Sequence, residues 1–282
     1  MKKITMLMLA LAMCFTCVSL TGCGNNGEIV CYTNAFFAPF EYYDGTNIVG
    51  VDVEIMAKVG EKMNKTVKIE DKDFAILIDT TAEGKLCDCA AAGITITDAR
   101  KEKVNFSVPY YTSVQYAIFK KGELTVSKNS ANQDVVMWDA LKDKKIGVQL
   151  DTTGNIYVDL EIKGEEDYTG ALQGSNSECT PYDSAQLAFE ALKAGSSINV
   201  VVIDELPAKY LIKNDTSDYV ALPLYYDAET ATEEQYAIAV NKDQTELLNA
   251  INEVLNELLE QKDANGNDGI QQLVMKHFTE SK

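Results

Sequence analysis

Cys87-Asp88-Cys89-Ala90-Ala91-Ala92-Gly93-Ile94-Thr95-Ile96-Thr97-Asp98-Ala99-Arg100 opens as a short apolar run and breaks at a glycine into a polar segment. Cys87 to Ala92 has the length and the small, apolar residues of a buried strand. Upstream, Phe74 to Glu83 suits a helix, Val67 and Ile69 alternate as in a strand, and Ile55, Met56, Val59 and Met63 share one helical face. Ile29 to Thr33 reads as the first strand. The order is β-α-β-α-β, which predicts a parallel sheet covered by helices on both sides.

A second series begins after Lys121. Val135 to Asp143 is expected as a helix, Ile146 to Gln149 as a strand and Thr153 onward as a helix. Ser184 to Ala194 is expected as a helix capped by Asp183 or Ser184 and stopped by Gly195. Val200 to Ile203 is an apolar strand, Leu206 to Ile212 a helix and Tyr236 to Val240 a strand. Leu247, Leu248, Ile251, Leu255, Leu258 and Leu259 then form one helical stripe. Two α/β sheets are expected.

At the amino end, Lys2 and Lys3 precede an uncharged apolar and small-residue run from Ile4 to Leu20, closed by Leu20-Thr21-Gly22-Cys23. A membrane-spanning helix needs about 20 apolar residues and a stop-transfer flank, so residues 1–22 read as a cleaved signal peptide. Leu-Thr-Gly-Cys resembles a bacterial lipobox, which makes Cys23 the lipidation site. The expected location is extracytoplasmic, anchored by lipid to the bacterial membrane. Cleavage removes 22 of the 282 residues, two lysines among them and no acids, so the net charge moves from −18 to −20. That charge excludes nucleic acid, whose phosphates demand clustered Lys and Arg, and opposes adsorption to anionic lipid. A hydrophobic share of 46% with 5 prolines is that of a globular chain.

Of seven cysteines, Cys14 and Cys17 leave with the signal peptide and Cys23 is acylated. Cys31, Cys87, Cys89 and Cys179 remain. Cys87-Asp88-Cys89 lacks zinc-type spacing and reads as two buried thiols on one strand face, with a bridge from Cys31 to one of them left open. Asp263, Asn265 and Asn267 begin a calcium-loop pattern, but Asp268 stands where glycine is needed and Val274 where glutamate is needed. A polar turn between helices is expected there. His277, the chain's single histidine, reads as a surface residue, and histidine-based triads are excluded. No nucleotide loop and no metal cluster is present, so no cofactor or metal is expected.

From Ile29 to Phe278 the chain resembles the polar amino-acid-binding family of ABC-importer solute-binding proteins. The motifs are Thr33-Asn34-Ala35-Phe36-Phe37-Ala38-Pro39-Phe40-Glu41-Tyr42, Gly50-Val51-Asp52-Val53-Glu54, the segment Ala92 to Arg100, and Val104-Asn105-Phe106-Ser107-Val108-Pro109-Tyr110-Tyr111. Ile146-Gly147-Val148-Gln149-Leu150-Asp151-Thr152-Thr153-Gly154, Val202-Ile203-Asp204 and Lys276-His277-Phe278 follow. The resemblance implies an α/β fold of two Rossmann-like lobes joined by two hinge strands, the type II periplasmic-binding architecture. Lobe 1 would be residues 24–111 and 236–282, and lobe 2 residues 112–235. The crossings would lie near Thr112 to Val114 and Glu233 to Gln235. The partners implied are a small amino acid and the permease and ATPase subunits of an importer.

A free amino acid carries an ammonium and a carboxylate on one carbon, so its site needs an anion with acceptors and a planar cation with amide donors. By resemblance, Arg100 clamps the carboxylate with paired donors. Thr95 adds its N–H to the carboxylate and its hydroxyl to the ammonium, and the Gly93 carbonyl also accepts from the ammonium. Thr153 donates its N–H from the start of a helix, where the dipole favours negative charge, and Asp204 is the ammonium's counter-ion. Taken singly, Arg100 reads as a solvated helix residue and Asp204 as a helix cap; the combined motifs turn both to binding. Phe37 and Phe74 would sandwich the ligand side chain, while Phe36 and Phe40 read as core. Asn34 and Gln149 put neutral amides where relatives carry acid or base, which points to a neutral, polar ligand. Asp151 replaces a usual glycine and is expected to point outward or to meet a nearby donor. The alternative reading is a cyclohexadienyl or arogenate dehydratase-like enzyme on the same fold; the complete clamp and the lipobox favour a binding protein that is not an enzyme.

Overall fold

A computed structural model describes residues 27–195 and 197–280. The signal peptide and Cys23 lie outside the described residues. The first part of the chain forms β1 (Glu28–Thr33), β2 (Phe36–Phe37), β3 (Glu41–Asp44), β4 (Asn47–Val49), α1 (Val51–Met63), β5 (Thr66–Asp71), α2 (Leu77–Glu83), β6 (Cys89–Ala90), α3 (Asp98–Lys103) and β7 (Asn105–Phe106). A long strand β8 (Tyr111–Lys120) leads to β9 (Ser127–Lys128), β10 (Asp134–Met137), β11 (Lys145–Gln149), α4 (Thr153–Lys163), β12 (Glu178–Tyr182), α5 (Ala185–Ala194), β13 (Val200–Asp204), α6 (Glu205–Ile212) and β14 (Tyr219–Tyr225). The chain closes with β15 (Glu233–Tyr236), β16 (Ala239–Val240), α7 (Thr245–Glu260) and α8 (Gly269–Glu280).

One sheet has the order β5-β1-β6-β16-β7 and the other β12-β11-β13-β8-β14-β10-β9, with β2-β3-β4 as a small third. The expected parallel strands are there, β5-β1-β6 and β12-β11-β13. Each sheet is nonetheless mixed, because strands that arrive from the other half run antiparallel: β16 against β6 and β7, and β8 against β13 and β14. β8 and β15 pair from Tyr111↔Tyr236 to Val114↔Glu233 and pass side by side between the two sheets. The expected single strand Tyr236 to Val240 is therefore two pieces. Tyr236 ends β15, and Ala239 joins the first sheet.

The helix expected at Val135 to Asp143 is replaced by β10 and a 3-10 turn at Trp138–Leu141. Val135 and Val136 are fully buried, with Val136 paired to Leu224 of β14. A β-branched pair fits a pleated sheet, and the partner strand overrides local periodicity. The apolar stripes behave as expected: α1 buries Ile55, Met56 and Val59 against α7, which buries Leu247, Ile251, Leu255 and Leu258. Ser184 caps α5 by accepting the Leu187 N–H at 3.3 Å, and Gly195 ends it in the left-handed region. Phe40 is core, whereas Phe36 is 53% exposed, contrary to expectation, because its strand position points away from the pocket that holds Phe37.

His277 is also a correction, being 4% exposed. Its ring bridges Tyr42 Oη at 3.1 Å and Glu54 Oε1 at 2.6 Å, fastening α8 to α1 and β3. Burial pushes the Glu54 carboxyl up, but the hydrogen bonds and charges of Lys276 and His277 outweigh it and hold the pKa below the ordinary value. A depressed carboxylate contributes stability above its unfolded pKa and loses it as pH falls through the folded one. His277→Ala should lower unfolding stability by about 1–3 kcal/mol in urea titration at neutral pH, by removing the buried ring that joins Tyr42 to Glu54.

Cys31 and Cys89 are register partners on adjacent strands, and Cys31, Cys87, Cys89 and Cys179 are free thiols. Asp88, between the buried Cys87 and Cys89, takes the Val30 N–H and the Gln244 amide. Asp263 Oδ1 accepts from the Asn265 and Asn267 N–H groups and Oδ2 from the Asn267 side-chain amide, which makes the turn between α7 and α8. Among the described residues no helix is long and apolar enough to cross a membrane.

Candidate amino-acid site between the sheets

Asn34, Phe37, Glu41, Phe74, Gly93, Thr95, Gln149, Thr152, Thr153 and Asp204 line one pocket where strand ends of both sheets converge. Eight of the nine residues anticipated from sequence are in that set. The ninth, Arg100, borders the adjoining groove with Phe74 and Asp151.

Arg100 is the only arginine in the chain. Thr97 caps α3 by accepting the Arg100 N–H at 3.2 Å, which starts the helix so that the side chain turns inward to 8% exposure. Its guanidinium donates to the Thr95 carbonyl and, across the cleft, to the Asp151 carbonyl, each at 2.9 Å, and lies 5.5 Å from the Phe74 ring centre. Burial lowers its pKa while Glu234, Asp204 and Asp151 pull it up; an arginine stays charged in such a setting. The fork geometry explains why arginine is used here and lysine elsewhere.

Gly93 sits at φ +54°, and its N–H donates to Asp52 Oδ2 at 2.9 Å. A Cβ there would lie 2.7 Å from Phe37 Cε1. Gly93→Ala should therefore cost about 1–2 kcal/mol from the left-handed backbone alone, and displace Phe37 from the pocket; thermal unfolding and ligand titration read the two effects separately.

Thr153 is the first residue of α4, with its hydroxyl buried and without a partner. First-turn N–H groups have no intrahelical acceptor, so this end of α4 offers donors to an anion. Thr152 is the cap, accepting from Asn155 N at 3.4 Å and donating to the Gln149 carbonyl at 2.8 Å. Gly154 lets α4 lie on β13: a Cβ would stand 3.2 Å from the Val202 carbonyl oxygen, and 2.8 Å from Gln115 Oε1 of β8. Asp151, at φ +59°, has an exposed side chain, and its carbonyl is what meets Arg100.

Asp204 ends β13 and precedes α6, yet makes no side-chain capping bond. It is 5% exposed and takes the Tyr236 hydroxyl at 2.6 Å instead. Asn34 and Gln149 meet across the cleft, with Gln149 Nε2 donating to Asn34 Oδ1 at 2.9 Å and Asn34 Nδ2 donating to the Lys72 carbonyl at 2.8 Å.

Sequence reasoning missed the carboxyls behind this pocket. Glu41 lines it, is fully buried, and has no donor on either carboxyl oxygen. Burial, then the neighbouring Asp52, drives its pKa well above the usual carboxylate range. Asp52 is raised to about 6 by burial, against hydrogen bonds from Gly93 N–H and the Tyr110 hydroxyl at 2.7 Å. Both residues lay inside quoted motifs, but only the Phe37↔Glu41 register and the placing of α1 bring them together.

Two α/β halves crossed by paired strands, with opposite charges buried between them, define a two-lobed binding protein of the type II periplasmic-binding fold. The profile of the bacterial extracellular solute-binding proteins, family 3, matches residues 29–273, and the chain belongs to that family. It is 32% identical to the arginine-binding extracellular protein ArtP of Bacillus subtilis over the full length of both chains. It is 25% identical to the L-cystine-binding protein TcyJ of Escherichia coli, covering 84% of this chain and 79% of that one. Among solved structures, the L-arginine-bound amino-acid ABC transporter substrate-binding protein AbpA of Streptococcus pneumoniae superposes with a TM-score of 0.74 at 25% identity, covering 91% and 96% of the two chains. An ancestral arginine-binding protein bound to glutamine gives 0.70 at 30% identity, covering 89% and 98%. The family is one of extracellular solute-binding proteins, and the relatives ArtP, TcyJ and AbpA bind arginine or L-cystine as substrate-binding proteins and not as enzymes.

Proposed function

We propose that the chain captures a free L-amino acid between lobes formed by residues 24–111 with 236–282 and by residues 112–235, and presents it to the permease of an ABC importer whose ATPase subunits drive uptake. The observation that carries this reading is the meeting of Thr95, the first turn of α4 and Asp204 around one pocket, with the Arg100 guanidinium in the groove that adjoins it. Arg100 takes the ligand carboxylate with the α4 amides; Asp204, Thr95 and the Gly93 carbonyl take the ammonium; Phe37 and Phe74 hold the side chain. Lipidation at Cys23 would hold the loaded protein beside its importer and raise its effective concentration there.

Two side-chain classes have support. Glu41 favours a cationic side chain, because a buried carboxyl without a donor is satisfied best by a cation that brings several N–H groups. Arginine-binding relatives agree with it. The second reading, a neutral polar side chain, rests on Asn34 and Gln149, whose amides meet each other at the pocket. A thermal-shift screen against the protein amino acids separates these readings, since a ligand at 100 times its Kd adds about 2.7 kcal/mol of stability. Stabilisation by arginine and lysine supports the first, stabilisation by neutral polar amino acids the second, and no response to any amino acid overturns both.

A further inference from the structure

Glu234 sits on β15, one of the two crossing strands, and is 4% exposed. Its Oε1 accepts from Gln115 Nε2 of the other crossing strand, and its Oε2 accepts the Thr95 hydroxyl, each at 2.5 Å. Gln115 is also the register partner of Asp204 on β13, which brings Asp204, held in turn by the Tyr236 hydroxyl, beside the Glu234 carboxyl. The charged or titratable groups around the pair are Arg100 from α3, Tyr157 from α4, Tyr236 on β15, Tyr111 at the start of β8 and, near Asp204, Glu41 from β3. Only Arg100 among these brings positive charge, and it already serves the Thr95 and Asp151 carbonyls.

A threonine hydroxyl has one proton and two lone pairs. Because the Thr95 proton is directed to Glu234, the lone pairs of that oxygen are left for a donor in the pocket. Two buried carboxyls bordered by a single guanidinium would, if both ionised, leave one negative charge unmatched, so the pair retains a proton until a second cation arrives. We propose that Glu234 is a positioning residue of the ammonium subsite, orienting the Thr95 hydroxyl as an acceptor and sharing with Asp204 a proton that the ligand's α-ammonium displaces. The proposal rests on the amino-acid reading above. In the balanced step the ammonium keeps its three protons, the Glu234–Asp204 pair goes from one proton to none, and that proton passes to buffer. Burial, then Asp204, raises the Glu234 pKa well above the usual range, which agrees with the proton residing there before binding. A released proton makes affinity rise with pH, by up to about tenfold per pH unit, through the range where the pair still holds it.

Titration calorimetry in phosphate and in Tris, with L-arginine and L-glutamine as probes, counts protons from the difference in heats between the buffers. The wild-type protein should release about one proton more per bound amino acid than Glu234→Gln, for whichever probe binds, and the pH slope of Kd should be shallower in the variant by up to about tenfold per pH unit. Equal proton counts in the two proteins would overturn the proposal. So would release that disappears in Glu41→Gln but persists in Glu234→Gln, since the proton then belongs to the Glu41–Asp52 pair. If Glu234→Gln does not fold, the wild type decides alone: no proton release at any pH between 4 and 8 sinks the proposal. Absence of binding by any amino acid shows instead as no heat at all, and removes the amino-acid reading together with this one.

Discussion

Arg100→Ala is expected to weaken amino-acid binding by about 2–5 kcal/mol, a rise in Kd of roughly thirtyfold to several thousandfold in titration calorimetry. The guanidinium is buried beside the pocket, and no other arginine exists in the chain to replace it. Its removal leaves the ligand carboxylate with only the amides of Thr95 and α4, and strips the Thr95 and Asp151 carbonyls of their donor. The second loss loosens the contact that spans the cleft, so closure suffers along with binding. Arg100→Lys should fall between wild type and Ala, because an ammonium keeps the charge but cannot reproduce a planar fork that serves two carbonyls and a carboxylate. A Kd for the Ala variant within about threefold of wild type would refute the clamp.

Glu41→Gln is expected to cut affinity for L-arginine by about 2–5 kcal/mol while changing that for L-glutamine by less than about 1.4 kcal/mol. A guanidinium placed against Glu41 would ionise it, and the pair would be one buried charge against another. A neutral amide meets a protonated Glu41 almost as well as it meets Gln. The same logic sets the pH dependence. Since burial and Asp52 raise the Glu41 pKa, L-arginine must displace its proton, and arginine affinity should fall as the medium is acidified. Equal losses for both ligands would assign Glu41 to packing against Asp52, and tight L-glutamine binding with no arginine binding in the wild type would return the neutral reading drawn from Asn34 and Gln149.

Much of this site was legible before any coordinates. Thr153 starts a helix and Asp204 ends an apolar strand, so local pattern placed both at element boundaries, while Thr95 and Arg100 were singled out by the family resemblance. The solitary arginine was a further signal in the composition, unused until its burial was seen. The misjudged segments share one cause. Val135 to Leu141 can be read at either period, and its strand exists because β14, far along the chain, lies beside it. His277 looks like a surface residue until α8 lays it against Glu54 and Tyr42. Glu41, Asp52 and Glu234 resemble any of the other acids in a chain with 43 of them.

The family resemblance implied the set of groups that would hold an ammonium and a carboxylate on one carbon, while by itself the sequence determined the α/β alternation and the apolar faces. These are carried by residue type and short spacing, and local backbone geometry converts them directly into elements. Only the tertiary structure decided that the two crossing strands bring Glu234 to Asp204, and that the register of β2 and β3 sets Glu41 over Asp52. Whether a carboxyl is buried, and which proton it shares, depends on what packs against it from distant parts of the chain and not on its neighbours in sequence.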